Sequence, residues 1–391
     1  MKRTWQVVTA ATALVLAATA CSSDNPSDTG SDDDSGDTGS HSDFYDKAEL
    51  DRQLGFRTAT AEGPADQPWE QMLSPEMVDT AKFKKEGPYK LCFSNAAVNN
   101  PWRQVGFKTM QAEVDLHDEI SDFKVLDAEG EDDKQISDIQ SLASENCSAI
   151  IVSPNTTSTL TPAVDGACKT GVPVIVFDRG VTTDCPVTFI HPIGGYAFGA
   201  DGAEFLVDEV DGGGKVLALR ILPGVDVLET RWSAAKDIFD DSDLDVVGVE
   251  FTDGDAAKTK TIVDDYIQRE GQIDGIWMDA GATAVAAIEA FEDAGVDVPP
   301  IVGEDQQDFL TKWQEDGLTA ISPTYPTYQW RTPVIAALRI LNGEQVPKEW
   351  VLPQPTITSD NLGEYVNTDM PPLHYAMCGC EELPEYPDAW K

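Results

Sequence analysis

From Pro88 onward the chain alternates short, almost continuous apolar runs with longer stretches whose apolar residues recur at helical spacing. The short runs predict strands at Tyr89–Ser94, Phe123–Asp127, Ala149–Ser153, Val172–Phe177, Lys215–Arg220, Val246–Phe251, Gly275–Asp279, Pro300–Gly303 and Thr319–Ser322. The periodic stretches predict helices at Val105–His117, Asp133–Glu145, Leu160–Thr170, Ala197–Val210, Leu228–Phe239, Ala256–Arg269, Thr283–Ala294 and Thr332–Leu341. A strand covered on both faces has no side turned to water, so its sequence shows no polar alternation. Repeated βαβ units with right-handed crossovers build doubly wound parallel sheets, which bind ligands beyond the carboxyl ends of their strands.

The segment before Pro88 has a different character. Lys2 and Arg3 precede an apolar, small-residue run from Val7 to Ala20, too short to span a bilayer comfortably but suited to a secretory signal. It closes Leu16-Ala17-Ala18-Thr19-Ala20-Cys21, which resembles a lipobox, so residues 1–20 read as a signal peptide and Cys21 as the lipidation site. Residues 21–43 hold seven Asp with many Ser and Gly and no Lys or Arg, the composition of a self-repelling, disordered linker. Residues 44–87 carry aromatics without sustained periodicity and are expected to pack as an irregular arm. The address implied is the outer face of the cell membrane, held by lipid alone.

A net charge of −42 excludes nucleic acid and an anionic membrane surface as natural partners. If Cys21 is acylated, Cys92, Cys147, Cys168, Cys185, Cys378 and Cys380 remain, an even count that points to disulfides in an exported chain. Cys92 sits in a predicted buried strand and also fits a free core thiol. Cys378-Gly379-Cys380 is too tight for half a zinc ribbon and lacks nearby His partners, so residues 376–391 are read as a stapled tail and no metal or cofactor is expected. No G-x-S-x-G, P-loop, strand-linked G-x-G-x-x-G or H-E-x-x-H occurs, and the four His are scattered, so the chain reads as a non-enzyme.

Chemistry-bearing residues follow the strands. The first is followed by Asn99-Asn100-Pro101-Trp102-Arg103, the third ends at Ser153, the fourth runs into Asp178-Arg179-Gly180, and the eighth into Glu304-Asp305. In this ordered set the chain resembles periplasmic sugar-binding proteins of the ribose-binding type, whose ligand domains are shared with repressors of the lactose-repressor family. The resemblance covers about Tyr89 to Val351. It implies an α/β fold of two doubly wound parallel-sheet lobes joined by a three-crossover hinge, with crossovers near Ile190–Gly194, Thr324–Thr327 and Val346–Val351. Residues 88–191 and 325–348 then form a proximal lobe, and 192–324 and 349–375 a distal one.

The same resemblance supplies site residues. Asn100 matches the family's hydroxyl-binding Asn, Trp102 and Arg103 fall where it carries paired aromatics, and Asp178 and Arg179 match its Asp-Arg pair. Arg231 matches an Arg opening the second distal helix, Asp305 a second carboxylate, Ser153 an Asn and Thr324 a hinge Gln. Ala280-Gly281 replaces a distal Asn-Asp, leaving Asp279 as the nearest polar candidate. Carboxylates accepting from hydroxyls, Arg donating in a planar fork and an aromatic over the C–H face of a ring suit a polyhydroxylated ligand. Each position has a plainer reading: Asn100 as a helix cap, Asp178–Arg179 as an ion pair, Trp102 as core and Arg231 as a solvated helix residue. The function implied is capture of a small polar ligand, a monosaccharide or related polyol, by a monomeric lipoprotein that delivers it to an ABC transporter permease. The alternative is a ligand-presenting sensor lipoprotein for a non-sugar small molecule.

Overall fold

The computed structural model describes residues 44–391 except Ser74 and Asp211. The signal peptide, Cys21 and the acidic linker lie outside the described residues.

The chain enters through helix α1 (Lys47–Phe56), whose first turn is capped by the Asp46 carboxylate accepting from the Ala48 and Glu49 amides. The arm therefore contains a helix where the sequence led us to expect irregular structure. Only Leu50 and Gln53 of α1 are fully buried, so its apolar face is too thin to stand out as a periodicity. A two-residue strand β1 (Met77–Val78) follows.

Strands and helices then alternate in order, with eight helices from α2 to α9. The first half runs β2 (Tyr89–Asn95), α2 (Pro101–Asp115), β3 (Ile120–Asp127), α3 (Asp132–Ala143), β4 (Ala149–Ser153), α4 (Thr157–Cys168), β5 (Val174–Phe177) and β6 (Thr188–Pro192). The second half runs α5 (Gly195–Glu209), β7 (Lys215–Arg220), α6 (Asp226–Asp240), β8 (Asp245–Phe251), α7 (Ala256–Glu270), β9 (Gly275–Met278), α8 (Ala284–Ala294), β10 (Ile301–Val302), α9 (Gln307–Asp316) and β11 (Ala320–Pro323). Helix α10 (Thr332–Asn342) returns to the first half and is followed by β12 (Val346–Pro347), β13 (Glu349–Leu352) and β14 (Thr356–Ile357).

Two six-stranded sheets result, in the orders β3-β2-β4-β5-β6-β13 and β8-β7-β9-β10-β11-β14. Every pairing in the first is parallel, and in the second only β14 runs antiparallel, against β11. The fold is thus the two-lobed α/β architecture expected. Its strands are buried end to end in β4, β5 and β9, the reason their sequences read as unbroken apolar runs.

The chain passes between sheets after β6, after β11 and after β13. The third passage departs from the sequence reading, which placed it at Val346–Val351 and gave residues from 349 to the distal lobe. Instead Glu349–Leu352 pairs in parallel with Phe189–Pro192 on the edge of the first sheet. Trp350, Val351 and Leu352 are wholly buried there, and Pro353 and Pro355, lacking N–H groups, end the ladder. The three passages are tied together. The Gln354 side chain accepts from the Gly194 amide at 2.7 Å, and Thr324 Oγ1 donates to the Pro355 carbonyl at 2.5 Å. Gly194 has φ +139°, and a Cβ there would stand 2.4 Å from the Gln53 side chain, so α1 seats directly on the first passage.

The arm and the tail both straddle the lobes. In the tail, Ala376 and Met377 donate to Asp305, and Gln307 donates to the His374 carbonyl, all on the second lobe. Further along, Arg331 donates to the Gly379 carbonyl at 2.6 Å and Trp390 Nε1 donates to Thr109 Oγ1 on α2 at 3.2 Å, both on the first. Arg331 also donates to Glu113 at 2.6 Å and stacks 3.7 Å above the Trp69 ring, knitting arm, tail and lobe around one buried cation.

Among the described residues all six cysteines are paired: Cys92–Cys147, Cys168–Cys185 and Cys378–Cys380. Cys92 is thus not a free core thiol. The tail bridge joins residues only two apart, so it does not staple the tail to the body. Hydrogen bonds and packing do that. Nor is a His partner lacking, because His374 Nε2 stands 3.9 Å from Cys380 Sγ.

Candidate ligand-binding site

Between the lobes, beyond the carboxyl ends of β2, β5, β7, β9 and β10, lies a cavity of about 160 Å³. Larger hollows of about 480 and 610 Å³ lie under the tail and beside the arm, but only the interlobe cavity gathers charged groups at strand ends. It is smaller than the roughly 300–1,000 Å³ typical of drug-sized ligands, so its occupant is small.

The first lobe contributes a continuous polar network. Arg103, on the first turn of α2, donates to Asp178 Oδ2 at 3.0 Å and to Ser153 Oγ at 3.4 Å. Both charged side chains are about 95 % shielded, and burial pulls the Arg103 guanidinium down to about 10, still cationic at neutral pH. Asp178 takes a left-handed backbone, φ +69°, at the point where β5 ends. A non-glycine residue held there is strained, and such strain persists where the surroundings over-determine it. Here Ile190, Arg103 and Tyr325 all bond to Asp178. Next to it Arg179 donates to the Asn155 carbonyl, while its buried Nε has no partner among the described residues.

Asn100 lines the cavity and caps α2, accepting from the Arg103 amide at 2.9 Å. Capping α2 thus leaves Asn100 on the cavity wall. Trp102 also lines the cavity, donating to the Tyr325 carbonyl at 2.7 Å and packing against the Tyr325 and Trp330 rings. Ser153 is fully buried behind Arg103 and reaches the cavity only through it.

On the second lobe Arg231 is buried, not solvated. Its Nη1 donates to the Asp279 carbonyl at 2.6 Å and lies 3.7 Å from Glu304, with the guanidinium 3.8 Å above the Phe198 ring. Close packing of α5 on α6 places it: a Cβ on Gly199 would fall 1.9 Å from the Arg231 carbonyl oxygen. Ile221, Leu222 and Val225 form an apolar wall nearby.

Three expected residues stand elsewhere. The Asp279 carboxylate turns away from the cavity, accepting from Arg220 at 3.2 Å and the Ile221 amide at 2.8 Å, and burial raises it to about 7. Asp305 faces the tail, where it accepts from the Met377 amide at 2.7 Å, and burial, then the neighbouring Glu304, raises it to about 7. Thr324 is fully buried at the second passage. The carboxylate that does line the second-lobe side is Glu304, which accepts from the Gly281 amide and the Tyr375 hydroxyl, both at 3.3 Å. Burial raises it above the ordinary range. Tyr325 and Tyr375 complete the lining. Sequence reasoning missed all three. Glu304 was visible as half of a carboxylate pair, whereas the tyrosines come from a passage and from the tail.

Comparison with known proteins decides the family. A family model described as a periplasmic binding protein domain matches residues 91–345, well over half of the chain. The chain belongs to this family. As a periplasmic binding protein it is a solute-binding protein rather than an enzyme. It is 27 % identical over 267 residues to the ribose import binding protein of Bacillus subtilis (strain 168), covering 68 % of this chain and 85 % of that one. It is 25 % identical over 231 residues to the xylitol-binding protein of Mycolicibacterium smegmatis, covering 58 % and 66 %. An ABC transporter solute binding protein from Bacillus halodurans C-125, solved with bound myo-inositol, superposes with a TM-score of 0.65 at 21 % identity. That match covers 72 % of this chain and 98 % of the other.

Proposed function

We propose that this periplasmic binding protein captures a small polyhydroxylated solute, a monosaccharide or a related polyol, between its lobes. It then delivers the solute to an ABC permease. The observation that carries the reading is the composition of the cavity. Carboxylates and guanidinium groups from both lobes, Asp178, Arg103 and Arg179 on one and Glu304 and Arg231 on the other, meet beside Trp102 and Tyr325. Paired acceptors and donors away from water suit vicinal hydroxyls, and flat rings suit the C–H face they leave. Relatives named for ribose and xylitol import or binding favour the same class.

Among the described residues no helix is long and apolar enough to cross a membrane. The anchor is assigned to the lipid on Cys21, with residues 22–43 as the spacer and the folded part acting as a monomer. Replacing Cys21 with Ser is expected to release the protein into the medium, and a variant that still carries lipid would refute the anchor.

The ligand class is tested by a thermal-shift screen of monosaccharides, polyols and sugar-free metabolites. A true ligand at a hundred times its dissociation constant stabilises the native state by about 2.7 kcal/mol. Stabilisation by non-hydroxylated metabolites alone would overturn the assignment.

A further inference from the structure

The tail holds a second cluster of chemistry-bearing side chains, unrelated to the interlobe cavity. The ligand atoms of His374, Cys378 and Cys380 lie within 4.8 Å of one another, and all three residues are buried. His374 is 3 % exposed, with Nε2 aimed at Cys380 Sγ across 3.9 Å and a buried Nδ1 that has no partner among the described residues. Glu381 Oε1 stands 3.5 Å from Cys378 Sγ, outside the three-residue cluster but adjacent to it and able to turn in as a fourth donor.

A disulfide two residues long restrains the unfolded chain very little, so stabilisation is a poor account of this one. The donor set is more informative. Two thiolates, an imidazole and a carboxylate form a tetrahedral set suited to zinc. Zn–S bonds of about 2.3 Å and Zn–N or Zn–O bonds of about 2.0–2.1 Å require sulfur-to-nitrogen or sulfur-to-oxygen edges of about 3.5 Å. One such edge from each sulfur measures 3.9 Å, to His374, and 3.5 Å, to Glu381. The sulfurs, bonded to each other here, must part to about 3.8 Å, and the Glu381 carboxylate must turn in towards His374 and Cys380. An approach route exists as well: the cavity of about 480 Å³ under the tail is lined by His374, Glu381 and Glu382 and passes Gly379 between the two cysteines.

We infer that the tail is a redox-gated zinc site, closed when Cys378 and Cys380 are joined and formed by His374, Cys378, Cys380 and Glu381 when they are reduced. A dithiol reductant transfers two electrons and two protons to the bridge, breaking the S–S bond and becoming a disulfide itself. Zn²⁺ then displaces the two thiol protons as it binds both sulfurs.

The test uses the full chain. It is reduced with a phosphine, desalted without oxygen and titrated with Co²⁺ as a spectroscopic stand-in for Zn²⁺. The expected result is a thiolate-to-cobalt charge-transfer band saturating at one equivalent and bleached by Zn²⁺, with no band from the oxidised chain. The Cys378→Ser/Cys380→Ser variant, whose remaining cysteines are treated with the reductant in the same way, should lack it. An equal band in that variant, or none in the wild type, overturns the proposal. His374→Gln keeps both thiols and serves if the double variant does not fold. Loss of even an outer-sphere partner weakens zinc sites roughly 10- to 100-fold, so loss of this ligand should cost at least tenfold. Unchanged affinity in His374→Gln would also overturn it.

Discussion

Glu304 and Asp305 share a peptide bond and point their carboxylates at different partners. Glu304 faces Arg231 in the interlobe cavity, whereas Asp305 accepts the Met377 amide and anchors the tail. Glu304→Gln is therefore expected to weaken ligand binding with little loss of stability, and Asp305→Asn to leave affinity nearly unchanged. Calorimetric titration with the ligand found by screening checks both. Equal loss of affinity in the two variants would remove the distinction.

Asp305 also gives stability a pH dependence of unusual sign. Its folded-state value of about 7 lies above the ordinary aspartate value near 3.9, so the native state holds a proton that the unfolded chain releases. Its contribution is favourable below about pH 4 and is lost as pH rises towards 7. One pKa unit is about 1.4 kcal/mol, giving an effect on the order of 2–4 kcal/mol. Glu349 acts oppositely: held at about 2 by the His191 and Arg52 contacts, it stabilises above pH 4.5 and fails as pH falls towards 2. Urea unfolding at several pH values should show Asp305→Asn losing less stability than wild type between pH 5 and 7. Parallel curves would sink this account.

Removing Asp178 or Arg103 singly strands a buried charge. Asp178→Ala and Arg103→Ala should each destabilise the protein or weaken binding by roughly 3–5 kcal/mol. The double variant should recover part of that loss. Strict additivity in a double-mutant cycle would mean the pair is not coupled.

Gly199 offers a test remote from the cavity. A methyl group there collides with the Arg231 backbone, so Gly199→Ala should force α5 from α6 at a cost of about 1–3 kcal/mol. The shift moves Arg231 and should lower affinity too. A variant as stable and as tight as wild type would contradict the observed helix packing.

The three disulfides should rank by the length of chain they close. Loop-entropy reasoning gives about 4 kcal/mol for Cys92–Cys147, about 3 for Cys168–Cys185 and about 1 for Cys378–Cys380. Serine pairs at each bridge, compared by urea unfolding, check the order.

Most of the two-lobed fold was legible because buried parallel strands and amphipathic helices leave strong local signals, as at Ile150-Ile151-Val152 and along α7. Helix α9 was missed: it has only Phe309, Leu310 and Trp313 as apolar anchors and no side-chain cap. Strand β6 was missed because Thr188 and His191 interrupt its apolar run. In the site, Asp178, Arg179, Arg103 and Trp102 were legible from their places after strands. The choice between Glu304 and Asp305 was not, since neighbouring residues point apart and only the tail decides which is taken. Tyr375 reaches the cavity through contacts spanning 71 residues, as with Glu304, which no local pattern records.

The arm and tail change the mechanics of the joint. Three passages of chain link the sheets, and the path from α1 to Trp69 and that from Met377 to Trp390 cross the same boundary, making five members in parallel. Parallel members add their torsional stiffness, so any swing of the lobes is limited to what the least compliant of the five allows. A joint braced by five such members is stiffer than one held by the three passages alone, and its lobes should swing through a smaller angle.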